Sequence, residues 1–335
     1  MELYPSIFDL KSMKVKKYRL GQWLLVIGLI SLMTIACGES LSSNSSSREM
    51  PASSSAKLVS HALGETRIPT EPQRIVVLHD TIILDPVIAL GIKPIAATTY
   101  ASEEGIAFRG LTAEQSEGIG ILGSMEQPNL EKIAALKPGL IFATHHLHRQ
   151  IYNQLSSIAP TVVIDHNQFD SFKDRFRYIA EILGKSDQAN QVLTQYQTRV
   201  EQLRQAMGDQ LNEVQVSVIH VYGEPLSTPA ASHHISQIFS DIGLQRPPSQ
   251  EGLLQEKNFS LEVLPEHDAD ILFIVKYPSS KAETILSNPI WQQLNAAQSG
   301  QVYEVSPERW GGAGGPIIAN QILDDLFRYL VEQPF

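Results

Sequence analysis

Side chains able to hold an anionic, flat-faced ligand gather where short β-rich runs end. His79 and Asp80 follow the run at 75–78, Thr98 and Tyr100 follow the next, and Thr144, His145 and His146 follow the run at 140–143. In the second half His220 and Tyr222 close one run and Lys276 and Tyr277 another. Arg309 and Trp310 come after the run at 302–305, just before Gly311-Gly312-Ala313-Gly314-Gly315. Arg109 lies in an irregular stretch from which it could reach inward. Arginine and lysine hydrogen-bond anionic oxygens, while tyrosine and tryptophan cover flat faces. Open α/β sheets bind ligands beyond the carboxyl ends of their strands, where these residues fall. The expected contact set is Arg309, Trp310, Tyr222, Tyr100, Arg109, Lys276, Thr144, His145 and His79.

Two other chemistries compete. His145, His146 and His148 cluster in one half, His233 and His234 in the other. Imidazoles from both halves could bind a bare cation, and one of them, or Tyr222, could hold haem. A secreted, two-lobed chelatase-like enzyme is the reading from another class. Against it, the chain has no Gly-x-Ser-x-Gly elbow and no His-Glu-x-x-His, and its glycine cluster lacks the lysine and hydroxyl of a phosphate loop. Glu131 and Glu262 stand at helix starts, poorly placed as an acid/base pair. No catalytic residue, protein-bound metal or resident cofactor is expected.

The elements that must position these residues read as α/β. Runs at 75–78, 140–143, 161–164, 216–219, 271–274 and 302–305 alternate with helical patterns, favouring largely parallel sheets. The two halves repeat each other. Residues 129–133 with the run at 140 align without gaps on 260–264 with the run at 271, at a shift of 131. Each opens on a helix N-cap residue, Asn129 or Ser260, with glutamate two positions on. Between the halves, Ala189, Val192, Leu193, Tyr196, Val200, Leu203 and Met207 form one apolar stripe of a helix capped by Ser186 and ended by Gly208. Such a rod is a stiff hinge.

The N-terminus reads as a targeting segment. Lys11, Lys14, Lys16, Lys17 and Arg19 precede an apolar run to Ala36 that is short for a bilayer span. The only cysteine follows, in Thr34-Ile35-Ala36-Cys37-Gly38. This resembles the lipobox of bacterial lipoproteins, with Thr34 in place of the usual aliphatic, and makes Cys37 the expected lipidation site. Residues 39–55 hold nine serines and read as a tether. Without the leader 21 basic and 34 acidic residues remain, which argues against nucleic acid as a partner. The expected organisation is signal peptide 1–36, tether 37–60, first α/β lobe 61–184, linking helix 185–209 and second lobe 210–335.

Ile68-Pro69, 72–78, 89–94, 128–133 with Leu136-Lys137-Pro138, Gln154-Leu155 with 158–161, Asn288-Pro289 with Trp291, 301–303 and 322–326 occur in a telling order. With them the chain, over about 60–332, resembles the solute-binding proteins of ferric-siderophore, haem and cobalamin ABC importers. Gly139 departs from the pattern, which commonly has aspartate there, and should affect local turn structure only. The resemblance implies two Rossmann-like α/β lobes joined by one long helix, with the ligand cleft between them. It implies an Fe(III)-siderophore as transported ligand, and docking of Glu131 and Glu262 onto an ABC permease dimer. The plain alternative for both glutamates is complementing a helix macrodipole. A monomer is expected, exported and held to a membrane only by its lipid, facing the periplasm or cell exterior.

Overall fold

The computed structural model describes residues 55–100 and 108–332; Cys37, the leader and the serine-rich stretch to residue 54 lie outside these. A hairpin of β1 (Ala56–His61) and β2 (Gly64–Pro69) opens the described chain. Residues 56–60 are therefore strand, not tether. Val59 is buried in the first-lobe core, and the Ala62 N–H donates to the Val163 carbonyl at 3.1 Å, docking the hairpin.

Uninterrupted Val, Ile and Leu runs form central strands covered on both faces. The first sheet holds β3 (Ile75–Val77), β4 (Ala96–Thr99), β5 (Gly120–Ser124), β6 (Leu140–Thr144) and β7 (Thr161–Ile164). Their order is β5-β4-β3-β6-β7, parallel throughout. The second holds β8 (Val216–Val221), β9 (Leu226–Thr228), β10 (Lys257–Phe259), β11 (Ile271–Lys276) and β12 (Val302–Val305), ordered β10-β9-β8-β11-β12. Only β9 runs against its neighbours. The strand order is the same in both sheets, so the internal repeat and the two α/β lobes read from the sequence are borne out.

The linking helix spans Ser186–Met207, with Gly208 as its C-cap. Ser186 is its first residue rather than its cap, and Lys185 precedes it without a side-chain capping bond. At 1.5 Å per residue the rod is about 33 Å long. Its stripe is shared: Ala189 and Leu193 pack into the first-lobe core, Tyr196 to Met207 into the second. Gly139 lies at the amino end of β6, where an added Cβ would stand 2.4 Å from the Gln73 carbonyl oxygen. The departure is thus tied to a close turn, at the end of the sheet away from the strand-end residues.

The lobes also meet directly. The first-lobe carboxylate of Asp85, fully buried, accepts from the N–H groups of Gly315, Ile317 and Ile318 at 3.1, 3.0 and 2.9 Å, at the start of the helix Pro316–Phe327. An added Cβ on Gly315 would stand 2.4 Å from that carboxylate, so the glycine cluster is a close-packed seam. Arg175 of the first lobe donates to the Gly314 carbonyl at 2.5 Å. Gln321 reaches back to the Gly110 carbonyl at 2.8 Å.

Asp85→Ala should strand three helix-start N–H groups and cost about 2–4 kcal/mol. Urea unfolding at pH 7 measures this, and an unchanged midpoint would remove the seam from the stability of the fold.

Candidate functional site

Each sheet reverses its winding between its first and fourth strands, at β3/β6 and β8/β11. The carboxyl ends there place side chains from both lobes in one cleft. On the first-lobe wall, Asp80 is fully buried and holds Arg109 in a fork: Nε to Oδ2 and Nη2 to Oδ1, both 2.8 Å. The guanidinium carbon sits 4.3 Å from the centroid of the half-exposed Tyr100 ring, a cation–π contact. His79 Nδ1 accepts from the Ile82 N–H at 3.2 Å, and its ring neighbours His146, which neighbours His166.

On the second-lobe wall, Tyr222 stacks on Tyr277 with centroids 3.7 Å apart and planes at 19°. The Tyr277 hydroxyl donates to the Gly311 carbonyl at 2.9 Å. His220 lies behind this stack, its ring near both tyrosines and His233. The walls face each other closely enough for Arg109 to act electrostatically on Tyr222 and Tyr277. Also between the lobes, a cavity of about 410 Å³ is lined by His166 and Arg175 from one and by His233, His234, Glu256 and Gly312 from the other.

Burial governs the electrostatics. His79 and His234 are pushed well below the usual imidazole range, first by burial and then by a neighbouring guanidinium, Arg109 for His79 and Arg175 for His234. His220 falls to about 3, through burial and then His233 and Arg246, and His233 falls to about 4 by burial and then Arg246. Burial raises Tyr277 far above its ordinary value and brings Arg175 down to about 10, against the pull of Asp85. At neutral pH these four imidazoles and the Tyr277 phenol are therefore uncharged.

Of the expected contacts, His79, Tyr100, Arg109 and Tyr222 come together here. His145 stands beside them with Nδ1 3.6 Å from Asp165. Four others are corrected. Trp310 has no exposed surface: it packs in the second-lobe core against Phe273 and donates Nε1 to Asp325 at 2.8 Å. Arg309 is taken up by the same carboxylate at 3.1 Å. Lys276 turns to Glu283, 2.7 Å away, and Glu304. Thr144 is buried, its hydroxyl 3.1 Å from Nδ1 of His148, whose Nε2 donates to the Met125 carbonyl.

Sequence reasoning undervalued Asp80 and Tyr277 and passed over His166, Arg175 and Glu256. Strand alternation offered a signal for one: Phe273, Val275 and Tyr277 share a face, and Lys276 belongs to the other. Among the described residues no three His, Cys, Asp or Glu converge to hold a metal ion, and the histidines at 145, 146 and 148 diverge.

Glu131 and Glu262 are exposed in the first turns of the segments Leu130–Ala135 and Leu261–His267. Asn129 caps its helix, accepting from the Lys132 N–H at 2.8 Å. Ser260 makes no such bond, and Pro265 keeps the second segment a 3-10 helix. Both glutamates follow the outer edge strand of their sheet, β5 or β10.

The family profile described as periplasmic binding protein matches residues 85–308. The chain is 33% identical, over 92% of its length and 98% of the relative's, to the probable siderophore-binding lipoprotein YfiY of Bacillus subtilis. It is 30% identical to the Fe(3+)-citrate-binding protein YfmC of the same organism, covering 85% of this chain and 90% of that one. Its fold matches the crystal structure of Staphylococcus aureus SirA complexed with staphyloferrin B, with a TM-score of 0.71 and 27% identity, over 82% of this chain and 98% of that one.

A histidine depressed in the folded state contributes stability that is present above its unfolded pKa and lost as pH falls through the folded value. For His220 the window runs from 6.5 down to about 3. Between pH 7 and pH 4 this one group should remove roughly 3 kcal/mol. His220→Asn should lose correspondingly less in urea unfolding at the two pH values. Equal acid losses in both proteins would mean that His220 titrates near its ordinary value in the fold.

Proposed function

The chain belongs to the periplasmic binding protein family, and from that we propose that it captures a ferric siderophore between its lobes and delivers it to the permease of an ABC importer. The observation that carries the reading is the opposition of two ligand-gripping walls, the Tyr100–Arg109 pair and the Tyr222–Tyr277 stack, on separate sheets. Planar rings cover chelate faces, and Arg109 directs a hydrogen bond at a chelate oxygen. Relatives named for siderophore and ferric-citrate binding support the same ligand class. Calorimetric titration with ferric siderophores tests it, and release of the chelate unchanged separates a carrier from a chelatase-like enzyme.

Delivery would use Glu131 and Glu262, each following the outer edge strand of its sheet and each meeting one subunit of a two-fold permease. Alanine at either should leave chelate affinity and stability nearly unchanged, since each side chain is exposed at a helix start. Cellular uptake should drop, more in the double variant, and lysine should be worse than alanine because like charges across an interface repel. Normal uptake by the double variant at equal protein level would return both glutamates to the helix starts alone.

Cys37 would anchor the exported monomer, since acyl chains contribute about 0.8 kcal/mol per buried methylene. Cys37→Ser should move the protein to the soluble fraction. Retention on washed membranes would sink the lipoprotein reading.

A further inference from the structure

We infer that the cleft is built for a ferric chelate of low net charge, zero or minus one, and that the buried Asp80 sets this preference by neutralising Arg109. The inference rests on the reading of the cleft as a ferric-chelate site. Arg109 is the cation best placed to meet a ligand, yet two of its donors are held by a carboxylate with no exposed surface. Its Nη1 remains turned toward the second lobe, 3.7 Å from where a Cβ on Gly312 would stand. Asp80 thereby leaves Arg109 a directed donor while cancelling its charge.

No other group supplies a surplus. Arg175 is spent on the Gly314 carbonyl and lies under the influence of Asp85. Arg246 is turned into the second lobe, donating to Pro229, Ser236, Thr228 and Gln250. Glu256 lines the cavity, and Asp165 stands behind His145. Among the described residues around the cleft, three guanidinium groups thus face four carboxylates. Lys281, whose stem lies over Gly223, is on exposed surface, where solvent screens it.

The histidines do not change the balance, since burial keeps His79, His146, His166, His220, His233 and His234 below their ordinary range. A trianionic ferric tris-catecholate would lose its hydration here without a matching positive wall. A neutral tris-hydroxamate, or a monoanionic chelate mixing hydroxamate and α-hydroxycarboxylate groups, loses far less and still meets the tyrosine rings and the Arg109 donor.

The full-length chain should be titrated calorimetrically with three ferric complexes: a neutral tris-hydroxamate, that mixed monoanion and a tris-catecholate trianion, each at low and high salt. A low-charge chelate should bind at least about tenfold tighter than the trianion, with a dissociation constant almost independent of salt. Asp80→Asn should shift the affinity ratio toward the trianion by about tenfold, a change that loss of structure alone would not produce. A trianion bound as tightly as the others by the parent, or an unchanged ratio in folded Asp80→Asn, overturns the inference while leaving the ferric-chelate reading intact. If the variant does not fold, the parent's ratio and salt dependence decide. Failure of all three complexes to bind overturns both.

Discussion

Three backbone N–H groups at the start of the helix Pro316–Phe327 converge on Asp85, a carboxylate that belongs to the other lobe, and the rest of the molecule is arranged around that contact. A helix N-terminus carries unpaired donors and partial positive charge, so a buried acceptor is needed wherever it is covered. Meeting the need across the lobe boundary fixes the distance between the sheets at one point. The linking helix fixes it at another, because its stripe belongs to both cores. Two attachments of different kinds leave rocking as the available motion and make wide opening costly. The cleft walls are correspondingly preset, which lowers the ordering cost of binding.

The same seam gives the protein opposed responses to pH. Burial raises Asp85 to about 6, against the pull of its three N–H donors and Arg175. A raised carboxyl favours folding at low pH, and that advantage is lost as pH rises through about 6. The depressed histidines of the cleft do the reverse, losing stability as pH falls from 6.5 toward 3 or 4. Between about pH 4 and 6 the two effects oppose each other. Acid unfolding, when it comes, should begin at the imidazoles, since protonating Asp85 relieves its own desolvation.

Most of the fold was legible because its signals are local. Branched runs at 75–77, 140–144 and 271–276 could only be central strands, and the stripe from Ala189 to Met207 could only be a helix buried along one face. The site was half legible. Strand ends located Tyr100, Tyr222 and His79, but a strand end does not say which of two adjacent side chains turns inward. Lys276 and Tyr277 were separated only by the layers above and below β11. Trp310 looked like a ligand platform because it follows a strand beside a glycine cluster. Its indole instead fills the core, where Asp325 satisfies its N–H. The hydrogen bonds between Asp85 and residues 315–318 join positions some 230 apart, and no local pattern encodes them.

The repeat is a repeat of scaffold, not of chemistry. Both sheets wind in the same order, and both edge strands lead into a short helical segment with an exposed glutamate, so whatever reads the outer flanks meets a near-symmetric object. The inner walls have diverged. One lobe offers a guanidinium whose charge is cancelled beneath it, the other a stack of phenols held by the Gly311 carbonyl. A two-fold permease and a single small ligand, as proposed above, would place different demands on the two surfaces of one duplicated fold. Among the described residues, the repeat persists at the outer edges of the sheets and is lost on the inner walls.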